Sequence, residues 1–366
     1  MEQVFSSYIY ENPMPHLYPK NSAFPNVIEL PDGRLLAAHQ MGVAFESVDG
    51  ATFLSESTDG GKTWSAPWKA FPQEEGRPIS ECAKLTLLPD GRLLLLGYAF
   101  YRDNPELPLG NARTGGLLED FVFWAESTDG GKTWSEKRHI PNAWEGHTEA
   151  SAPVYVLQDG SWATPIAGFP DWEGNRVSKD CGRILRSYDE GKTWNDDVVC
   201  MEFPGNTVLC YEQRMCQLWD GTLVTIAWNE DTATGERLHN HIAISTDGGK
   251  TFSAPIDTGI QGQASGIVAL DGTKVLTVHA LRRDTDEPGI YACIADVAGG
   301  KWKLLSKEKI WAPKLPMTRN TYMAEVFAFI KFGQPGVIRL ADGSILMTFW
   351  VCEEGCYKTL AAKFTL

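Results

Sequence analysis

Ser57-Thr-Asp-Gly-Gly-Lys-Thr-Trp64 decides the fold, because it occurs again as Ser127 to Trp134, as Ser187-Tyr-Asp-Glu-Gly-Lys-Thr-Trp194, and as Ser245 to Phe252. In each copy an aspartate (Asp59, Asp129, Asp189 or Asp247) follows a short apolar run and sits just ahead of glycine. Such a carboxylate accepts hydrogen bonds from turn amides while a glycine takes positive φ. The aromatic that closes each copy is placed to enter a core. This is a repeated turn, and the intervals between its copies hold whole supersecondary units.

A second repeat lies upstream of each turn. Ile28 to Ala37 around Asp32-Gly33, Leu85 to Leu96 around Asp90-Gly91, and Tyr155 to Thr164 around Asp159-Gly160 each read as apolar strand, Asp-Gly turn, apolar strand. The pattern recurs at Asp220-Gly221, Asp271-Gly272 and Asp342-Gly343. Asp-Gly between apolar runs is a strong hairpin signal, since both residues tolerate positive φ. Six hairpins at roughly 60-residue intervals predict an all-β, six-bladed β-propeller of four-stranded antiparallel blades. The expected order within a blade is hairpin, third strand, Asp turn, fourth strand, with Ala295 to Trp302 a worn copy of the turn in the fifth.

The last blade runs out of chain at Tyr357 to Leu366, whereas Gln3-Val-Phe-Ser-Ser-Tyr-Ile-Tyr10 alternates as a strand should. The N-terminal strand is therefore expected to complete it and close the ring, removing open sheet edges. Residues 1–366 are read as one propeller domain. With 43% hydrophobic residues, 13 Trp and 35 Gly, the chain has the composition of a large, turn-rich β core.

A net charge of −14 argues against nucleic acid or an anionic membrane as the main partner, since both reward a positive surface. No apolar run of membrane-spanning length and no export signal is visible, so a cytoplasmic protein is expected if Met1 is the native start. The eight cysteines show neither a C-x-x-C pair nor zinc spacing; reduced, mostly buried thiols are expected. No cofactor and no metal site are expected, His239-Asn-His241 having no third ligand in the pattern. A phosphate loop is excluded, because Glu56, Glu126 and Ile244 stand where its first glycine belongs.

In a radial blade, the Asp-Gly hairpins and the Asp turns share one face of the disc. The other loops converge on the axis at the opposite face, where a pocket is expected. Functional residues should then lie about eight positions before, or eight to twelve after, each hairpin aspartate. The first set is Phe24, Cys82, Ser151, Glu212, Gln263 and Gln334, with Glu81, His147 and Glu149 close by. The second set includes His39, Tyr98, Arg102, Asp171, Trp228, Glu230, His279, Arg282, Arg283, Trp350 and Glu353, and Arg113 and Arg319 fall in long loops on the same face. Tryptophans and arginines around carboxylates suit a sugar, which stacks on Trp and meets fixed donors.

These repeats resemble the sialidase superfamily of Asp-box, or BNR-repeat, propellers, and the resemblance covers nearly the whole chain. It implies three substrate-gripping arginines, a Tyr–Glu nucleophile pair and an acid/base aspartate. Glu212, in Tyr211-Glu-Gln-Arg214, matches the family glutamate, and Arg282 or Arg283 matches the third arginine. Ala23, in Ser22-Ala-Phe-Pro25, stands where the first arginine belongs, Trp228 where the second does, and Gln334-Pro-Gly-Val337 where the tyrosine does. Asp49 lies in the loop of the acid/base residue. The resemblance thus implies a glycan substrate other than sialic acid.

The expectation is a glycan-active enzyme, an exo-acting glycoside hydrolase with Glu212 central and Glu81 as its partner carboxylate. His147, with a tyrosine and an arginine, would suit β-elimination from a uronate, which makes a lyase the second reading. A propeller that binds glycan or protein without chemistry is the third. Substrate contacts are assigned to His39, Arg102, Asp171, Arg214, Trp228, Arg282, Arg283, Arg319, Gln334 and Trp350.

Overall fold

The computed structural model describes residues 1–72, 76–141, 146–176, 179–283, 285–314 and 331–366. Arg319 lies outside them. The described residues form six antiparallel sheets arranged as the blades of a propeller, as the two repeats predict. Blade 1 holds β2 (Asn21–Glu29), β3 (Leu35–Gly42), β4 (Ala51–Ser57) and β5 (Trp68–Lys69); blade 2 holds β6 (Ile79–Leu87), β7 (Leu93–Tyr101), β8 (Asp120–Ser127) and β9 (Arg138–His139). Blade 4 runs from β15 (Val208–Gln217) and β16 (Leu223–Asp231), blade 5 from β19 (Ser265–Ala269) and β20 (Lys274–Leu281), and blade 6 from β23 (Phe332–Arg339) and β24 (Ile345–Glu353).

Second strands are apolar on both faces because each blade is covered on both sides. Leu93, Leu94, Leu95 and Leu96 are all buried, Leu93 and Leu95 against blade 1 and Leu94 and Leu96 against blade 3. A strand between two packed layers reads as a continuous apolar run rather than an alternating one. The core is therefore a ring of interblade layers.

The Asp turns lock these layers. Asp59 Oδ1 accepts from the amides of Lys62 and Thr63 at 3.0 and 2.9 Å, and its Oδ2 accepts from Thr63 Oγ1 at 2.7 Å. Asp129 and Asp247 repeat this pattern. The closing aromatics then enter the layers: Trp64 packs between blades 6 and 1, Trp134 between 1 and 2, and Trp194 between 2 and 3.

Ring closure uses the two ends of the chain. Strand β1 (Glu2–Tyr10) pairs antiparallel with β25 (Cys356–Thr365), completing blade 6. Ile9 is buried in the layer shared by blades 6 and 1, and Ser7 Oγ accepts from Trp64 Nε1 at 3.2 Å while donating to the Gly61 carbonyl. The closing strand is thus pinned to the first Asp turn.

The inner strands depart from the simple pattern where the cavity lies. In blades 1, 4 and 6 the register slips at Ala23/Asn26, Tyr211/Arg214 and Gly333/Gly336, and Phe24, Glu212 and Gln334 take φ of +56°, +46° and +40°. In blade 3 the inner strand breaks into β10 (His147–Glu149) and β11 (Tyr155–Val156), both on β12 (Trp162–Phe169), instead of the single strand expected. Pro153 explains the break, and Pro25 and Pro335 two of the bulges, because proline has no N–H for the ladder. The inner ladder of blade 2 has no such slip, Cys82 facing Tyr98.

Removing Met1 to Tyr10 is expected to lower the melting temperature by about 10 °C or more, since it strips buried Ile9 and Tyr10 and a full ladder from blade 6. An unchanged thermal melt would show that the ring does not depend on this strand.

Candidate functional site

A cavity of about 200 Å³ opens on the axis at the face away from the Asp turns. All six blades contribute, and the side chains come from the inner-strand interruptions and the ends of the second strands. Phe24, Phe45 and Trp350 make one aromatic wall, with ring centroids 5.0 to 6.0 Å apart. Tyr98, Phe100 and Phe169 make another, and Tyr211 continues it to Trp228. Flat apolar walls with a few convergent polar groups are what a sugar-sized ligand needs.

Glu212 stands at the meeting point of the polar groups. Its Oε2 accepts from Trp228 Nε1 at 2.8 Å and its Oε1 from Gln334 Nε2 at 2.8 Å. Gln334 Oε1 in turn accepts from Lys84 Nζ at 2.9 Å, and Lys84 also donates to the Phe24 carbonyl. Gln334 therefore occupies the place where the resemblance implies a tyrosine, and it meets the glutamate from blade 6. Left-handed φ on a non-glycine residue costs on the order of 1–3 kcal/mol. Ala264, beside Gln263 in blade 5, takes φ of +64° as well, so four such residues cluster around the axis.

Glu149, at the break in blade 3, is the second carboxylate at this centre. Its Oε2 accepts from the Glu212 amide at 3.2 Å and its Oε1 from the Ser151 amide at 2.9 Å. Burial pushes the Glu149 carboxyl above its usual range; the Ser151 bond and Arg214 pull against this, and the neighbouring Glu212 adds to it. Burial also brings Lys84 down to about 8 and Arg282 down to about 10, with Glu212 opposing both. Arg282 lines the cavity and is braced by Gln263 Oε1 at 2.9 Å and the Phe332 carbonyl at 2.6 Å.

Of the residues given a catalytic or substrate-binding role from the sequence, Glu81, Glu212, Trp228, Arg282, Gln334 and Trp350 line the cavity, and from the wider set so do Phe24, Cys82, Tyr98, Glu149, Ser151 and Gln263. The Glu81 carboxylate, however, is bound to blade 1: Oε1 accepts from the Thr52 amide at 2.7 Å and Oε2 from Thr52 Oγ1. The rest stand elsewhere. His39 is fully buried between Ser22 and Ser55, and burial brings it down to about 3. His147 pairs with Asp120 at 3.2 Å and is not among the lining residues, and Asp171 caps its own loop through the Asn175 amide at 2.8 Å. Arg102 bonds Ser80 and the Leu107 carbonyl, and Arg283 pairs with Glu230 at 3.1 Å in a neighbouring crevice. Arg214 bonds Ser151 Oγ and lines a chamber deeper on the axis.

Sequence reasoning missed Lys84, Phe100, Phe169 and Glu46. Lys84 was visible as a lone charge in the apolar strand Ala83-Lys-Leu85, and the two phenylalanines lie ten positions after Asp90 and Asp159. Glu46 sits in the loop where Asp49 was noted; it lines the cavity, its Oε1 is buried with no hydrogen bond among the described residues, and burial raises its carboxyl. Among the described residues no group of His, Cys, Asp and Glu is placed to hold a metal, all eight cysteines are free, and no helix is long and apolar enough to cross a membrane.

Residues 107–309 match the model of the BNR repeat-like domain family, and residues 56–66 that of the BNR/Asp-box repeat. No curated protein matches the chain in sequence. Among solved structures, a protein of unknown function from Dyadobacter fermentans is 21% identical with a TM-score of 0.75, the match covering 99% of this chain and 98% of that one. The NanB sialidase of Streptococcus pneumoniae is 14% identical with a TM-score of 0.65, covering 98% of this chain and 70% of that one. Trypanosoma rangeli sialidase, solved with the inhibitor DANA, is 15% identical with a TM-score of 0.62, covering 94% and 55%. At these identities the likeness is one of fold.

The contact between Glu149 and Glu212 has a measurable consequence. In Glu212→Gln the carboxyl of Glu149, followed by carbon-13 NMR across a pH titration, is expected to titrate lower than in the wild type, because a like charge is removed. An unmoved titration would show that the two carboxyls are not coupled.

Proposed function

Because the chain belongs to the BNR repeat-like domain family, we propose that it is a glycan-active enzyme and, more narrowly, an exo-acting glycoside hydrolase. The observation that carries this reading is the carboxylate pair at the axis. Glu212 is aimed into an aromatic-walled cavity by its bulge and held by Trp228 and Gln334, while Glu149 is buried one hydrogen bond behind it. Glycoside hydrolysis needs one carboxylate at the anomeric centre and one carboxylic acid to protonate the leaving oxygen. Glu212 takes the first role. Glu149, whose carboxyl burial pushes up and which accepts from the Glu212 amide, takes the second, in place of Glu81, whose carboxylate is turned to Thr52 in blade 1.

The floor formed by Lys84 and Gln334 supports exo action, because a chain end enters a closed-bottomed mouth whereas a chain interior needs an open groove. Phe24, Phe45, Tyr98 and Phe169, which keep part of their surface open, supply stacking faces for the terminal sugar, while Trp228 and Trp350 are packed behind them at 4% and 1% exposure. The lyase reading draws less support, since His147, its proposed base, is engaged with Asp120 outside the cavity lining.

A screen of chromogenic glycosides and natural glycans identifies the substrate. On that substrate, Glu212→Gln should lose about 10³-fold or more in kcat while its thermal melt stays near that of the wild type. Glu149→Gln should lose about 10²-fold or more on a natural glycan but far less on a dinitrophenyl glycoside, whose leaving group needs no proton. Wild-type turnover by folded Glu212→Gln contradicts the assignment, and saturable sugar binding without product from the wild type favours a binding propeller instead.

A further inference from the structure

Beneath the floor, on the hairpin side, the axis holds a second chamber of about 120 Å³ that shares Lys84 and Gln334 with the cavity above. Its lining is mostly apolar, and the polar side chains in it are Asn26, Lys84, Tyr155, Arg214, Gln334 and Thr348. Lys84 and Arg214 are only 3% and 7% exposed, so both cations lie almost wholly out of bulk water. Arg214 makes both of its hydrogen bonds through Nη1, to Ser151 Oγ at 3.1 Å and the Gln213 carbonyl at 2.7 Å, which leaves Nε and Nη2 for the chamber. Tyr155 Oη accepts from the Met215 amide at 3.2 Å and keeps its own proton to donate, and Thr348 adds a hydroxyl. No acidic side chain is among the described residues that line the chamber.

Two buried cations that share a space repel each other, and each repulsion is strengthened by the low local dielectric. Arg214 is indeed one of the groups that depress Lys84, after burial itself. The volume exceeds what one water requires and admits a small ion with part of its hydration. We propose that this axial chamber binds a small inorganic anion, chloride in ordinary media, between Lys84 Nζ and the Nε and Nη2 groups of Arg214, with Tyr155 and Thr348 as further donors. Glu149 and Glu212 offset part of the cations' charge from the cavity side, and an anion in the chamber adds a counter-charge on the other side and fixes Lys84, which holds Gln334 and, through it, Glu212. The chamber thus couples salt to the geometry of the cavity above. This site stands independently of the hydrolase reading, because its test needs no substrate.

The test uses the full chain at constant ionic strength, exchanging sodium gluconate for sodium chloride. Chloride-35 NMR should show saturable excess line broadening, and the melting temperature should be about 1–3 °C higher in chloride than in gluconate once the site is filled. Arg214→Met should abolish both effects. If that variant does not fold, Tyr155→Phe and Thr348→Val, which each remove one hydroxyl, should weaken chloride binding several-fold. Equal melting temperatures in the two salts with no saturable broadening overturn the proposal, as does broadening that persists unchanged in the folded variants.

Discussion

The pairing of β1 with β25 is the constraint on which the rest depends, because it turns six separate sheets into a ring. An open array of blades would leave two interblade faces and two strand edges unsatisfied. Closure buries them and obliges six inner strands to face a common axis. Strands that converge there cannot all remain regular, and the relief falls at one level. Phe24, Glu212 and Gln334 take left-handed φ, and blade 3 breaks between Glu149 and Tyr155. The interruptions that geometry requires are also what turn polar side chains into the cavity.

The polar centre follows from the same constraint. Residues from blades 2, 6, 4 and 3 meet in one chain of hydrogen bonds, Lys84 to Gln334 to Glu212 and the Glu212 amide to Glu149. No two of its side chains are near neighbours in sequence. Burial acts on both flanking groups: it raises the Glu149 carboxyl and lowers the Lys84 ammonium, so each is shifted toward its neutral form beside the glutamate that faces the cavity.

The fold was legible because its signals are local and repeated. An Asp-Gly hairpin or an Asp turn is defined within eight residues, and the missing fourth strand of blade 6 pointed directly to Gln3–Tyr10. The level of the cavity was legible too, since counting eight residues back from the hairpins reached Phe24, Glu212 and Gln334. Direction was not. His39 and Trp350 both lie in the later half of second strands, yet one is locked inside blade 1 by Ser22 and Ser55 and the other lies in a cavity wall. Glu81 and Glu149 both precede inner-strand positions, and only the engagement of Thr52 with one and of the Glu212 amide with the other distinguishes them. Bulges decide which way a strand faces, and Pro25, Pro153 and Pro335 were the readable trace of three interruptions.

The central claim is that the sugar whose bond is broken lies over Glu212. A crystal structure of Glu212→Gln with the cleaved glycan bound tests it most directly. The account predicts the terminal sugar between the Phe24–Phe45 and Tyr98–Phe169 walls, its anomeric carbon within about 3.5 Å of the side chain at position 212 and its leaving oxygen turned toward Glu149. A sugar bound instead beside His147 and Asp120, with position 212 out of contact, would contradict it.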